Sequence, residues 1–364
     1  MSSASRHAPA KLVLWLGTVV ALGSCVPHIG PRTIPVDRFD YSTAVADSWK
    51  QQTLLNIVKL RYMDLPVFVD VSSIVSGYSL QTGVSIGGTV SSSKAVQGNF
   101  ATAGAQAVYT DRPTITYTPL TGEKFLKSIL APIDPKNIFF LLQSGYQADF
   151  ILALTVESLN GVRNRSVGEG GMREVDPDFT RALQLLRELQ SAGVVGMRVE
   201  EDKDKGSTGV LFFRRDDVPA EVVEKAAEVR RLLRLPPDQQ RFSLVYSPAR
   251  GAENELAVHS RSMLQIMGAF STYLDVPEEH LIGHFTVPSF EHASAEGRQD
   301  VVRIKSGKDE PEGAFAAVKY RGYWFWIDDG DWRTKRAMTA IMYFFTLSET
   351  GGEGKLPLIT IPAQ

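Results

Sequence analysis

The chain is 364 residues long, 43% hydrophobic and 22% charged, with a formal net charge of −2 and a single cysteine. The absence of a basic excess excludes a binding mode driven by the nucleic-acid backbone. One cysteine excludes an internal disulfide. At the start of the chain, Arg6 and Lys11 form a positive region ahead of the apolar run LVLWLGTVVAL, Leu12–Leu22. That run is about half of the roughly 20 residues a membrane-spanning helix requires, so it reads as a processing signal and not as an anchor.

The next residues, LGSC at Leu22–Cys25, resemble the lipobox of bacterial lipoproteins: a branched apolar residue, two small ones, then the cysteine that is lipidated. The resemblance implies removal of residues 1–24 and attachment of diacylglyceryl and acyl chains to Cys25. With Val26 in place of an Asp after the cysteine, it also implies delivery to the outer membrane, lipid-anchored and mainly periplasm-facing. That the one cysteine of the chain stands at this position argues against coincidence. Residues 25–40, which include the proline-rich HIGPRTIPVDRFD, are aperiodic and are expected to be a tether with little structure.

The first periodic segment, STAVADSWKQQTLLNIVKLRY (Ser42–Tyr62), gathers Val45, Trp49, Leu54, Leu55, Val58 and Tyr62 on one helical face. LPVFVDVSSI alternates as a strand, and Pro113 and Pro119 bracket another at Thr114–Thr118. Beyond Gly122, helices are expected at Glu123–Leu130 and Pro135–Ser144, a strand at Phe150–Leu159, a charged loop at NRSVGEGGMREVDPD, and a helix at Asp178–Gln190. Strands at Val194–Glu200 and Thr208–Arg214, a helix in VPAEVVEKAAEVRRLLRL and a strand at Arg241–Tyr246 follow. This β-β-α-β order is similar to small modules from which periplasmic rings are built, an analogy of fold alone. The last third carries a helix from about Ser260 to Leu274, strands near Val301–Lys305 and Phe315–Ile327, a helix at Asp331–Leu347 and a strand at Leu358–Ile361. The expected fold class is α+β, with mixed sheets, packed helices and a long Gly/Ala/Ser-rich β-hairpin at 78–109. The expected divisions are 41–122, 123–250 and 251–364.

The hairpin region stands apart. Gly77–Thr110 has one charged residue, Lys94, where the average composition predicts about seven. From Tyr78 to Val90 a strict period of two puts Tyr78, Leu80, Val84, Ile86 and Val90 on one side and Ser79, Gln81, Gly83, Ser85 and Gly87 on the other. The second arm, Phe100–Tyr109, alternates alanines with Thr102, Gly104 and Gln106. If the arms turn at SSSKAVQGN, Tyr78 and Tyr109 meet at the base, where an aromatic girdle marks the headgroup level. A barrel strand with lipid outside and water inside needs this pattern, but a strand on a soluble core and a flexible Gly/Ser loop share parts of it.

Elsewhere chemistry is sparse. His280 and His284 in EEHLIGHF, with Glu291 and His292, have a metal-like spacing, but Leu281 stands where the zinc protease pattern needs Glu, so surface or loop histidines are expected and no metal. Asp328, Asp329 and Asp331 lack calcium-loop spacing, and Asp331 suits a helix cap. YRGYWFWI places Tyr323, Trp324 and Trp326 in an aromatic strand, read as a central strand buried on both sides or as an aromatic platform for glycans. No motif for a nucleophile, phosphate or cofactor is present.

The runs LLNIVKLRYMDLPVFVDVSSI, TITYTPLTGEKF and YRGYWFWIDD look like segments of uncharacterised proteobacterial lipoproteins, a resemblance that covers much of the mature chain and implies no activity. The expectation is a non-enzymatic outer-membrane lipoprotein without cofactors. It assembles as a homo-oligomeric ring, each protomer adding one β-hairpin to a pore or collar that serves envelope or secretion proteins. Lipoprotein rings of this architecture exist, the curli secretion pore among them, although no motif is shared with it. The alternative is a lipid-tethered, soluble, periplasm-facing binding or scaffold protein that holds a protein or glycan.

Overall fold

The computed structural model describes residues 34–75, 78–89, 100–111, 113–168, 171–202, 206–214, 218–286 and 302–348. Cys25, Val90, Lys94, Glu291, His292 and the strand expected at Leu358–Ile361 lie outside them. Contacts divide the chain into one unit of residues 1–46, 71–117 and 356–364 and a second of residues 47–70 and 118–355.

The second unit is a mixed α/β fold with helices packed against sheets. It begins within α1 (Ile34–Arg61), where Leu54, Ile57 and Val58 are fully buried. Gln52 and Asn56, one turn apart on this helix, hydrogen-bond the backbone at Val69 and Val67 through both amide atoms. These amides act as a short substitute strand and fix the base of β1 (Phe68–Val75). The expected unstructured tether ends earlier than its composition suggests, because α1 already starts at Ile34. Pro35 is tolerated in a first turn, whose N–H groups lack partners in any case, and Asp37 there favours the helix dipole.

Five helices and six strands follow in order: α2 (Glu123–Leu130), α3 (Pro135–Gln143), α4 (Ala148–Thr155), β5 (Val156–Leu159), β6 (Val162–Arg163), α5 (Pro177–Ser191), β9 (Val195–Asp202), β10 (Gly206–Phe213), α6 (Ala220–Leu232), β11 (Arg241–Tyr246) and β12 (Glu255–Ser260), with the short pair β7 (Ser166–Gly168) and β8 (Gly171–Arg173) within the expected charged loop. The main sheet has the order β6-β5-β12-β11-β10-β9. It is antiparallel except for β11 and β12, paired in parallel through Leu244↔Leu256. The expected division at 250 falls between these two strands.

Two expectations are corrected here. Phe150–Leu159 is a helix followed by a strand, because Ala148, Ile151, Leu152 and Thr155 are buried at helical spacing. Within a short apolar run, periodicity alone separates helix from strand poorly. Strand β12 lies where no element was expected, between the strand at Arg241–Tyr246 and the helix from about Ser260. That helix, α7 (Met263–Ser271), starts only after Ser262, where a capping box with Gln265 closes its first turn.

The connection between the parallel strands is short for a crossover, and Asn160 holds it. Its side chain accepts from Ala257 N at 2.8 Å and Gly251 N at 3.4 Å, and donates to the Leu233 carbonyl at 3.0 Å. Asn160 and Gly161 both have left-handed backbone (φ 48° and 81°), as the tight β5–β6 turn demands.

After α8 (Glu278–Ile282) comes a three-stranded sheet, β13 (Lys305–Gly307), β14 (Ala314–Tyr320) and β15 (Tyr323–Asp328), with β15 in the middle. The single strand expected at Phe315–Ile327 is thus a hairpin, broken at Arg321 and Gly322, whose φ values of 47° and 86° suit a two-residue turn. Helix α9 (Trp332–Ser348) closes the described chain. Asp331 accepts from Thr334 N at 3.1 Å, the cap expected from the sequence. Phe179, Phe213, Phe242, Phe270, Phe325 and Phe344 belong to one buried cluster that helices and both sheets share.

In the first unit, β2 (Tyr78–Thr89) and β3 (Phe100–Asp111) pair antiparallel over twelve residues each. Strand β1 pairs with β4 (Thr114–Leu120) in a separate two-stranded sheet.

Candidate functional site

The pairing of β2 and β3 decides which residues share a face. Residues directly opposite lie on the same side, so Leu80↔Tyr109, Val84↔Ala105 and Ile86↔Ala103 form an apolar face, whereas Gln81↔Val108, Gly83↔Gln106, Ser85↔Gly104 and Gly87↔Thr102 form the other. The two arms are therefore amphipathic in phase, something the sequence alone does not establish. Val84 is 77% and Ile86 84% exposed, and Gln81, Ser85, Thr102 and Gln106 on the opposite face are exposed as well.

The predicted meeting of Tyr78 with Tyr109 is corrected. Tyr78 stands opposite Asp111, and Tyr109 opposite Leu80, a displacement of two residues. The cause is the length of the β3 arm, which carries the ladder beyond Tyr109 to Asp111.

The aromatic strand β15 has two unlike faces. Phe325 and Ile327 are fully buried, whereas Trp324 and Trp326 are partly exposed, so the strand is central but not buried on both sides. Lys305 and Ala317 flank Trp326, and Gly307 and Lys319 flank Trp324. Tyr323 stacks edge-on against His280 with ring centroids 4.9 Å apart.

His280 is the main departure from the histidine reading. It is 5% exposed, and the Tyr62 hydroxyl lies 2.6 Å from its Nδ1. Burial holds the His280 pKa below its ordinary value and pushes the Tyr62 phenol up to about 12. A phenol donating to a neutral imidazole satisfies both groups without a metal ion. Tyr320, Phe285 and Arg321 complete the cluster, the Arg321 guanidinium lying 5.5 Å from the Tyr62 ring centre. Arg321 is also ion-paired to Asp64 at 3.1 Å. These partners are scattered over some two hundred and sixty positions; from sequence His280 was expected at the surface or in a loop and Tyr62 on the apolar face of a helix, with no signal joining them.

A cleft of about 650 Å³ opens beside α5 and α7, with Phe179 and Leu183 among its apolar walls. In it Glu157 receives Arg261 Nε at 2.7 Å and Arg173 at 3.1 Å. Arg261 also donates to the carbonyls of Leu154 at 3.0 Å, Ala153 at 3.2 Å and Arg165. This set is closed upon itself and joins β12 to α4 and β5. The acids of WIDDGDW are engaged likewise, Asp328 with Lys305 and Asp329 with Lys335. Among the described residues, no group of three or more His, Cys, Asp or Glu is arranged to hold a metal ion, and no helix is long and apolar enough to cross a membrane.

The paired strands are thus the feature with least explanation among the described residues, where Val84 and Ile86 on one face and Gln81, Ser85, Thr102 and Gln106 on the other are exposed. Compared with protein-family models, with curated proteins and with solved structures, the chain finds no match in any of the three.

Proposed function

We propose that the protein is a non-enzymatic outer-membrane lipoprotein, anchored through Cys25, whose β2–β3 hairpin joins those of identical protomers in a membrane pore or collar. The observation that carries this reading is the in-phase alternation of β2 and β3, with Val84 and Ile86 exposed on one face and Gln81, Ser85 and Gln106 on the other. Twelve residues at about 3.4 Å each give a strand of about 40 Å. Tilted by about 40°, it crosses the roughly 30 Å hydrocarbon layer.

One hairpin cannot do this alone. Each outer edge leaves on the order of a dozen backbone N–H and C=O groups unpaired, and each such group costs several kcal/mol in hydrocarbon. Closure into a ring removes both edges, and the smallest barrel of about eight strands needs four copies. In water the same two strands lack a covered face, a marginal arrangement for an isolated hairpin.

The deciding experiment is electron microscopy of the lipidated protein in mild detergent, beside a variant lacking Ser79–Val108. Rings with a detergent belt that disappears in the deletion support the proposal. A monodisperse monomer in both cases refutes it.

A second reading, a lipid-tethered scaffold that holds a glycan, draws on the partly exposed Trp324 and Trp326 beside Lys319. Indole fluorescence that responds to peptidoglycan fragments, and is lost in Trp324→Ala, supports that reading. A flat titration removes it.

A further inference from the structure

We propose that the lumen of this pore carries no fixed charge across the membrane and passes ions of either sign alike, an inference that rests on the pore reading above. If Val84 and Ile86 meet lipid, the face of Gln81, Ser85, Thr102 and Gln106 lines the water, because neighbouring strand residues point to opposite sides. In a symmetric ring every residue on that face becomes a ring of identical groups. The identity of each residue is therefore read by a permeating ion as many times as there are protomers.

Between the Gly83–Gln106 and Gly87–Thr102 pairs that face is built from small groups in a regular order, with Val108 and Phe100 at its two ends. Each glycine stands opposite a side chain: Gly83 opposite Gln106, Gly104 opposite Ser85, and Gly87 opposite Thr102. The hydroxyls turn back onto the backbone, Ser85 Oγ donating to the Gly104 carbonyl at 3.4 Å and Thr102 Oγ1 to the Gly87 carbonyl at 3.2 Å. A Cβ at Gly104 would sit 3.0 Å from Ser85 Oγ, and one at Gly87 3.2 Å from Thr102 Oγ1. Glycine at these two places keeps the hydroxyls seated and the wall low. The amides of Gln81 and Gln106 are then the polar groups that reach furthest from it.

Neither strand has a Lys, Arg, His, Asp or Glu between Tyr78 and Thr110 among the described residues, and Asp111 lies opposite Tyr78 on the other face, at the base. Selectivity among ions needs charged rings or a narrow ring of coordinating oxygens. A fixed charge acts over about a Debye length, roughly 8–10 Å in ordinary salt. A wall without charges along the span leaves selectivity to ionic mobility, which is nearly equal for potassium and chloride. Lys94 lies outside the described residues and is removed in the test.

The test is conductance of the lipidated protein in planar bilayers across a KCl gradient. With Lys94→Gln, the expected reversal potential is near zero. Gln106→Glu in that background is expected to shift it toward the potassium limit, and Gln106→Lys toward the chloride limit. A water-soluble thiol reagent is expected to block current through Gln106→Cys and to spare Ala105→Cys, its neighbour on the lipid face; Cys25, as a thioether, does not compete. Channels that are strongly selective in Lys94→Gln, or that ignore both charges at position 106, overturn the uncharged lumen and leave the pore standing. Rings seen in detergent that never conduct overturn the pore and the lumen together.

Discussion

Replacing Val84 by Arg, beside the same change at Ser85, separates lipid from water with two adjacent residues. Val84 lies near the middle of the twelve-residue β2 and is 77% exposed in the protomer. At the bilayer midplane, an Arg on the lipid face of a barrel costs about 2–4 kcal/mol. Loss of the valine's transfer into hydrocarbon adds about 1–2 kcal/mol. In the proposed ring at least four copies repeat this, so the smallest ring would lose roughly 10–25 kcal/mol, enough to prevent assembly. In water the same exposed substitution changes stability by about 0.5 kcal/mol or less. Ser85→Arg, on the face that lines the lumen of the proposed pore, is expected to leave insertion intact.

The assay is retention in the membrane fraction, with detergent-resistant oligomers, in a Cys25→Ser background behind an ordinary export signal, so that the lipid cannot mask the effect. Retention of Ser85→Arg with release of Val84→Arg is the expected result. Equal behaviour of the two variants, whether both retained or both lost, refutes the assignment of faces.

Four further outcomes are expected. The His280 pKa is lowered by burial from its ordinary 6.5, so the unfolded chain takes up a proton first as the pH falls. Stability at His280 is full above 6.5 and declines as the pH drops toward the lower folded value, and denaturant midpoints at a series of pH values with and without Tyr62→Phe check this. At the alkaline end the sign reverses: the unfolded phenol ionises near 10 and the buried Tyr62 only at about 12, so stability falls between them. Asn160→Ala removes bonds to Ala257, Gly251 and Leu233 and puts alanine at a φ of 48°, and is expected to cost about 2–4 kcal/mol, read from a urea titration. Arg261→Met leaves Glu157 and several carbonyls without their buried donor and is expected to cost about 3–5 kcal/mol, whereas Arg261→Met with Glu157→Leu recovers part of that loss in the same titration.

Strong, long periodicities were legible in the sequence. The helix expected at Asp178–Gln190 and the strand at Arg241–Tyr246 appear at nearly those bounds, because their apolar positions repeat cleanly. Short apolar runs were not, as α4 and β12 illustrate: eight or six residues fit either period until burial chooses. The Asn160–Gly161 turn carries one of the strongest local hairpin signals, an Asn-Gly pair between apolar runs, and was passed over. In the candidate site, the alternation of each arm was visible but its register was not: the expected Tyr78–Tyr109 pairing is two residues off, since register is set by contacts between residues far apart in the chain. The Tyr62–His280 pair, 218 positions apart, had no local signal.

The glycine and hydroxyl pairs of β2 and β3 fix register within one chain but give no such instruction between chains. Sliding the hairpin by two residues against itself would break the Ser85–Gly104 and Thr102–Gly87 matches, at about 1 kcal/mol each. At an outer edge, a neighbour displaced by two residues meets nearly the same sequence of alanine, glycine and small polar groups, with both faces preserved. If the proposed ring forms, its strands are therefore degenerate in alignment between chains, and rings with different stagger, hence different bore, are accessible from one sequence unless something other than the strands selects among them.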